Sequence, residues 1–280
     1  MSYKFGILGL SAALILGVGS ADAVLVAHYD FDETASSTSL DDNVGSADGI
    51  ATDVSFAASG AGVAGSTGFG NAGSFNGTTS TVTFGGDGTG PSEFLLGTSD
   101  FAIVGWFKTD TNVVNSDIPI FQKIRSNFTT GWTLDIGRAD RSRRGKVFFT
   151  VGKTGAQIFS DVRLDDDEWH WIAAINDGGT LRMFVDGVQQ ADTASMGASS
   201  ASATGGAPAG FGNRSTLRYT GELDEWSVFT HAPDATLDGS GNLTDGELYD
   251  LWQQGVPVPE PASLGLLGLG GMLVTLRRRK

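Results

Sequence analysis

Short apolar alternations, each a handful of residues long and closed by a turn residue, constrain the fold of this chain more than any other feature. Leu25 to Phe31, Ser80 to Phe84, Phe101 to Lys108, Ile118 to Lys123 and Trp132 to Ile136 read as strands. So do Lys146 to Val151, Trp171 to Asn176, Leu181 to Val185 and Leu223 to Phe229. Successive side chains of a strand point to opposite faces, so period-two alternation marks a strand with one face buried. Asp177-Gly178-Gly179 and Asp186-Gly187 are expected hairpin turns, because glycine readily takes the positive φ that a tight turn needs. Many short strands with little helical periodicity predict an all-β protein, two antiparallel sheets packed as a sandwich. One short C-terminal helix is expected near Leu243 to Trp252. There Thr244 and Glu247 read as a capping box, and Leu248, Leu251 and Trp252 follow at helical spacing.

Ala57 to Gly73 and Ser195 to Gly210 consist almost wholly of small residues and are expected to be loops. Strand signals resume on both sides of each, so residues 24–255 are expected to form one domain. The two ends stand apart from it. Lys4, the apolar run Phe5 to Val18 and Ala21-Asp22-Ala23 have the layout of a signal peptide over residues 1–23, removed by signal peptidase. At the other end, Ala262 to Leu276 is apolar and uncharged. As a helix it would be about 22 Å long, short of the roughly 30 Å hydrocarbon core, so it makes only a marginal membrane span. Its basic flank would remain cytoplasmic.

Residues 256–280 place Pro259-Glu260-Pro261, this apolar segment and the tail Arg277, Arg278, Arg279 and Lys280 in one order, which resembles the PEP-CTERM sorting signal of Gram-negative bacteria. The resemblance implies that an exosortase-type membrane enzyme recognises the tripeptide, with the basic tail as membrane stop. It also implies export through the inner membrane, transient anchoring by the C-terminal membrane helix, and then residence at the cell surface or in the extracellular matrix. A plain single-span anchor behind a proline-rich linker is the alternative.

The chain has 32 acidic against 18 basic residues, a formal net charge of −14, and no cysteine. Such a surface repels nucleic acid and anionic lipid and favours divalent cations and neutral partners. Without disulfides, an exported chain depends on a sizeable core or a bound metal for stability.

Six motifs occur in sequence: His28-Tyr29-Asp30-Phe31-Asp32, Ser74-Phe75-Asn76-Gly77, Asp100 to Phe107, Trp169 to Ala173, Leu181 to Gly187 and Gly221-Glu222-Leu223-Asp224-Glu225-Trp226. In this order they resemble successive strands of the laminin-G-like, concanavalin A-like jelly roll. The resemblance implies two curved antiparallel sheets and a concave face, which members use for glycans, proteins or nothing known, and the structural calcium that such domains often hold where the first strand, an early loop and the last strand meet. Asp30, Asp32, Asp48 and Asp224 are the carboxylates that would meet there, with ordinary solvated acids as the alternative. Hard oxygen donors suit calcium, and bound metal adds folding free energy. Trp106, Trp132, Trp171 and Trp226 are expected in the core, with a sugar-stacking platform as the other reading. His170 is expected to be structural, since His28, His170 and His231 lack metal-ligand spacing.

No catalytic residues are assigned. Laminarinase-type enzymes on this fold use Glu-x-Asp-x-(x)-Glu, but Trp226 and Ser227 stand where the second glutamate belongs, and Glu225 would point away in a regular strand. Thr236 to Glu247 mimics part of an EF-hand loop but lacks its first aspartate, so a turn followed by a helix cap is expected. Asp165 to Glu168 reads as a solvated loop. Arg138, Arg141, Arg143, Arg144 and Lys146 form a basic island. Of these, Arg141, Arg143 and Arg144 are candidate contacts for anionic polysaccharide, unless they only balance local charge. The sequence reading is a non-catalytic surface or matrix protein that binds carbohydrate or another matrix component. A purely structural matrix protein and a glycoside-active enzyme are the alternatives.

Overall fold

The computed structural model describes residues 23–60, 70–85, 90–110, 116–124, 130–137, 142–152, 155–203 and 209–254. Residues 1–22, the sorting motif with its tail, and Arg138 and Arg141 lie outside them. Among the described residues no helix is long and apolar enough to cross a membrane.

The chain opens with β1 (Val24–Tyr29), β2 (Ser39–Leu40), β3 (Gly49–Thr52), β4 (Ser55–Ser59), β5 (Asn71–Asn76) and β6 (Thr81–Phe84). Then come β7 (Phe101–Lys108), β8 (Ile118–Ile124), β9 (Gly131–Ile136), β10 (Val147–Val151) and β11 (Gln157–Phe159). Next are β12 (Trp169–Asp177), β13 (Thr180–Val185), β14 (Val188–Gln189), β15 (Ala194–Ser195) and β16 (Ala209–Phe211). The last are β17 (Asn213–Arg214), β18 (Leu217–Arg218), β19 (Thr220–Thr230), β20 (Thr236–Leu237), β21 (Leu243–Asp245) and the helix α1 (Glu247–Gln254).

Two large antiparallel sheets result. The nine-stranded sheet runs β14-β13-β12-β7-β19-β5-β4, with β1 also on β19 and β15 on β13. The eight-stranded sheet runs β11-β10-β9-β8-β16-β6-β3-β2. The architecture is the expected jelly-roll sandwich. Each strand read from the sequence is present within three residues of its expected bounds. Both hairpin turns occur, with Gly178, Gly179, Asp186 and Gly187 all at positive φ.

The inward faces meet in an aromatic core. Phe121 stacks on Phe211 at 4.0 Å, and Trp132 and Trp226 meet Phe121 edge-on at 4.8 and 5.8 Å. Offset and edge-on ring pairs complement the ring quadrupoles and add to the free energy of burial. Gly105, within β7, makes room for the indole of Trp226, since a Cβ there would lie 2.3 Å from the ring. The four expected tryptophans are all buried.

A second apolar layer covers the nine-stranded sheet from outside. Ala102, Val104, Trp106, Trp171, Ile175 and Phe184 pack against Leu243, Leu248, Leu251 and Trp252. The helix is capped otherwise than the sequence suggests. Thr244 lies in β21 and its hydroxyl donates to Thr236 O. Asp234 closes the helix start instead: its carboxylate accepts Glu247 N–H at 3.0 Å, and Glu247 accepts Asp234 N–H in return. A reciprocal cap was therefore foreseen, but its partner lies 13 residues upstream. The small-residue stretches also differ from expectation: Ser55–Ser59 and Ala209–Phe211 are strands, and Ala201 and Ala203 are wholly buried. Alanine contributes little area, yet it fits where the backbone itself packs closely.

Candidate functional site

Two places on the sandwich gather polar and charged groups: the bulge in β19, and the outer face of the eight-stranded sheet. In β19 the register against β7 shifts between Asp224 and Ser227, and Glu225 sits at φ 52°. The extra residue turns Trp226 into the core and leaves Ser227 beside His28, its β1 partner. Glu225 therefore does not follow the alternation of a regular strand. Its carboxylate comes within 3.5 Å of His28 Nε2, whose other ring nitrogen is 3.0 Å from Ser227 Oγ. Burial, then the charges of Asp30 and Asp32, push the Glu225 carboxyl from its ordinary 4.5 to about 8. Burial pushes His28 down, against the opposing charges of Asp30 and Asp42. Ser227 is wholly buried, which closes this Ser-His-Glu arrangement to a substrate.

Of the acids named for calcium, three surround this bulge. Asp30 accepts Asp32 N–H, and Asp32 accepts Asn71 N–H from β5. Asp224 is wholly buried, and its carboxylate accepts Glu225 N–H at 3.0 Å. Gly60 and Gly70 border the cluster closely: a Cβ at Gly60 would lie 2.8 Å from Asp224 Oδ2, and one at Gly70 within 2.2 Å of Asp32. Asp48 belongs to a different turn and holds Asp42 N–H at 2.9 Å. Asp42 in turn accepts the N–H groups of His28, Val44, Gly45 and Ala47. Among the described residues no three His, Asp or Glu side chains are gathered as a ready metal-ligand set. Oxygen-only donors and close glycines fit a hard cation at Asp30, Asp32, Asp224 and Glu225 in chemistry, but the carboxylates are not drawn together as a ligand set.

The other acidic motifs are structural. The Asp238 carboxylate closes the β20–β21 turn by accepting Ser240 and Asn242 N–H. His170 is held by Asp186 at 2.7 Å and Asp166 at 3.0 Å. Burial pushes that imidazole down, but the two carboxylate hydrogen bonds and their charges outweigh it and leave it raised. Glu222 and Asp167 both face the Lys108 ammonium, at 3.8 and 3.9 Å.

The outer face of the eight-stranded sheet had no signal in any single motif. Strand register sets Thr83, Gly210, Gln122, Thr133, Thr150 and Gln157 in one row across β6, β16, β8, β9, β10 and β11. Next to it runs a row of Asp135, Phe148 and Phe159. Arg214 reaches over both from the β17–β18 hairpin. It donates to Asp135 at 2.7 Å, Thr133 at 3.3 Å and Asp117 O at 3.0 Å. Gln122 donates to Asn213 O, while its buried Oε1 accepts no hydrogen bond. Burial pushes the Asp135 carboxyl up, against the charge and hydrogen bond of Arg214.

This face ends at the basic island. Arg143 is committed twice, to Asp117 at 2.6 and 3.1 Å and to the Phe148 ring at 5.1 Å. Arg144 is exposed. Of the three arginines expected to bind anionic glycan, Arg143 is thus already neutralised, and Arg141 lies outside the described residues.

Comparison with known proteins agrees with this architecture. The concanavalin A-like lectin/glucanases superfamily profile matches residues 76–236. The chain belongs to that superfamily. A second profile, the PEP-CTERM protein-sorting motif, matches residues 257–280 and implies export with transient anchoring. Among curated proteins no significant sequence match is found. Domain 4 of AbnA, a GH43 extracellular arabinanase from Geobacillus stearothermophilus solved with arabinotriose, superposes with TM-score 0.54 at 16% identity. That match covers 80% of this chain and 96% of the other. The botulinum neurotoxin serotype C1 binding domain gives 0.53 at 12%, covering 78% and 55%. The binding domain of Paraclostridial Mosquitocidal Protein 1 gives 0.51 at 13%, with the same coverage. This superfamily member therefore spans just over half the length of those two toxin chains, and identities this low show likeness of fold alone.

Proposed function

We propose that this superfamily member is an exported, non-catalytic module, residues 24–255, that binds extracellular carbohydrate through the outer face of its eight-stranded sheet. The observation that supports the reading is the hydroxyl- and amide-bearing row from Thr83 to Gln157. Thr83, Thr150 and Gln157 of this row are partly exposed and offer donors and acceptors to a hydroxyl-rich ligand, while Gln122 and Thr133 are buried and bonded to Asn213 and Arg214 of the β17–β18 hairpin. Against catalysis stand a wholly buried Asp224, and Trp226 and Ser227 where the laminarinase-type motif has its second glutamate. A structural matrix protein without specific ligand is the second reading, favoured by Arg214 and Arg143 being already paired within the protein.

Glycan-array binding separates these readings, with arabinotriose as first probe because the AbnA domain was solved with it. Binding without release of reducing sugar supports the first reading. Release of reducing sugar overturns it in favour of an enzyme. No glycan binding, with firm binding to another matrix protein, moves the assignment to the second.

Sorting rests on Pro259, Glu260 and Pro261, with signal peptidase acting at the other end. Replacing Glu260 by Gln should leave export intact and block release by the exosortase-type enzyme. A normally released variant removes the motif from this account. We further propose that a structural calcium is held by Asp30, Asp32 and Asp224 together with Glu225, with Asp48 outside the set.

A further inference from the structure

Where β10 and β11 meet the edge of the other sheet, Ser142, Arg143, Lys146, Phe159, Asp161 and Asp192 line a cleft of about 440 Å³. Its walls are laced together. Asp161 accepts Ala191 N–H and Asp192 accepts Phe159 N–H, each through Oδ2, while Gln190 Oε1 accepts Asp161 N–H. These bonds clasp the edge strand β11 to the segment between β14 and β15, blocking a free sheet edge and fixing both carboxylates. Among the described residues the Oδ1 atoms of Asp161 and Asp192 make no hydrogen bond. Nor does the Lys146 ammonium have a carboxylate partner among them. Phe159 is half-buried, and its ring lies 5.6 Å from that of Phe148.

We infer that this cleft takes one unit of a neutral saccharide: Asp161 Oδ1 and Asp192 Oδ1 accept its hydroxyl hydrogens, Lys146 Nζ donates to its oxygens, and the Phe159 ring packs against its C–H face. The inference rests on the carbohydrate reading above and narrows it. An anionic sugar would meet two unneutralised carboxylates and a single unpaired ammonium, because Arg143 is already balanced by Asp117. A neutral sugar matches both signs at once, since each hydroxyl donates and accepts. The inference thus places a neutral sugar beside the arginine island, in contrast to the anionic glycan expected on it.

The test is calorimetric titration of the full chain in a zwitterionic, sugar-free detergent. Cellotetraose, mannotetraose and arabinotriose serve as neutral probes, and tri-galacturonate as the anionic one. At least one neutral probe should bind with millimolar or tighter affinity, unchanged as salt is raised, because no net ligand charge is screened. Lys146→Ala and Phe159→Ala should each weaken that binding about tenfold, corresponding to loss of one hydrogen bond to a charged group or one ring contact. Lys146→Ala removes no internal partner, so it remains informative if Phe159→Ala fails to fold. Neutral binding untouched by Lys146→Ala overturns the cleft but leaves the carbohydrate reading standing. So does binding confined to tri-galacturonate with steep salt dependence. No binding by any saccharide overturns both.

Discussion

On the outside of the nine-stranded sheet, Trp106, Trp171 and Phe184 lie beneath Leu248, Leu251 and Trp252 of the closing helix. On the outside of the eight-stranded sheet, Gln122, Thr133, Thr150 and Gln157 stand in a row beside Asp135 and its ion pair with Arg214. The first face is sealed by apolar burial, which is non-directional. The second is held by directional bonds and retains an unmatched acceptor at Gln122. The closing helix thus covers one outer face, whereas the β17–β18 hairpin covers only the middle of the other and leaves it partly open at Thr83, Thr150 and Gln157.

The comparison breaks most visibly at the sealed face. Trp171→Ala removes a wholly buried ring and should cost about 3–5 kcal/mol, read from denaturant midpoints, with no change in glycan affinity. A loss of binding at unchanged stability would reverse the roles of the two faces. Next comes Arg214→Ala, which strands the Asp135 carboxylate, 2% exposed, without its cation. It should cost about 3 kcal/mol, and the double change with Asp135→Asn should recover much of that. A cost below about 1 kcal/mol would mean the pair behaves like a surface bridge.

Calcium is a smaller and conditional effect. If the β19 bulge holds the ion, chelation should lower the melting temperature by about 5 °C or more, from a mass-action stabilisation of about 2.7 kcal/mol at a hundredfold excess over Kd. Identical melting curves in calcium and in chelator remove the metal. The chelated protein also has a pH signature. Glu225 titrates near 8 when folded and near 4.5 when unfolded, so the native state binds the extra proton between them. Its contribution is full below about 4.5 and is lost as pH rises through about 8. Glu225→Gln should flatten that decline, and calcium, which displaces the proton, should stabilise more strongly toward its upper end. The smallest expected effect is Arg143→Ser at the rim of the open face. It should cost under about 1 kcal/mol because the pair with Asp117 is partly exposed, and neutral-glycan affinity should change little.

Much of this was legible before any coordinates. Period-two alternation is a local property, so Phe101–Lys108 and Ile118–Ile124 could be read from their own residues. The Asp-Gly turns were legible for the same reason, because positive φ is a property of a few consecutive residues. The bulge at Glu225 was only half legible: Leu223 and Trp226 stand three apart, a spacing that a regular strand puts on opposite faces, but nothing local says which residue is extruded. Only the competing register of β1 and β7 forces the extra residue out. The helix cap was half legible: Glu247 was named, but its partner Asp234 is brought to it by the β20–β21 hairpin.

By itself, then, the sequence determined the strands, their turns, the sandwich they must form and the sorting motif at the C-terminal end, because each is written in neighbouring residues. Tertiary structure alone decided which charges meet: Arg214 with Asp135, Arg143 with Asp117, and Lys146 in a cleft with Asp161 and Asp192. These partners lie in different strands and loops, so their pairing depends on register and on how edges close. A sheet register fixes distances between residues far apart in sequence to within one hydrogen-bond length, and no local pattern encodes that.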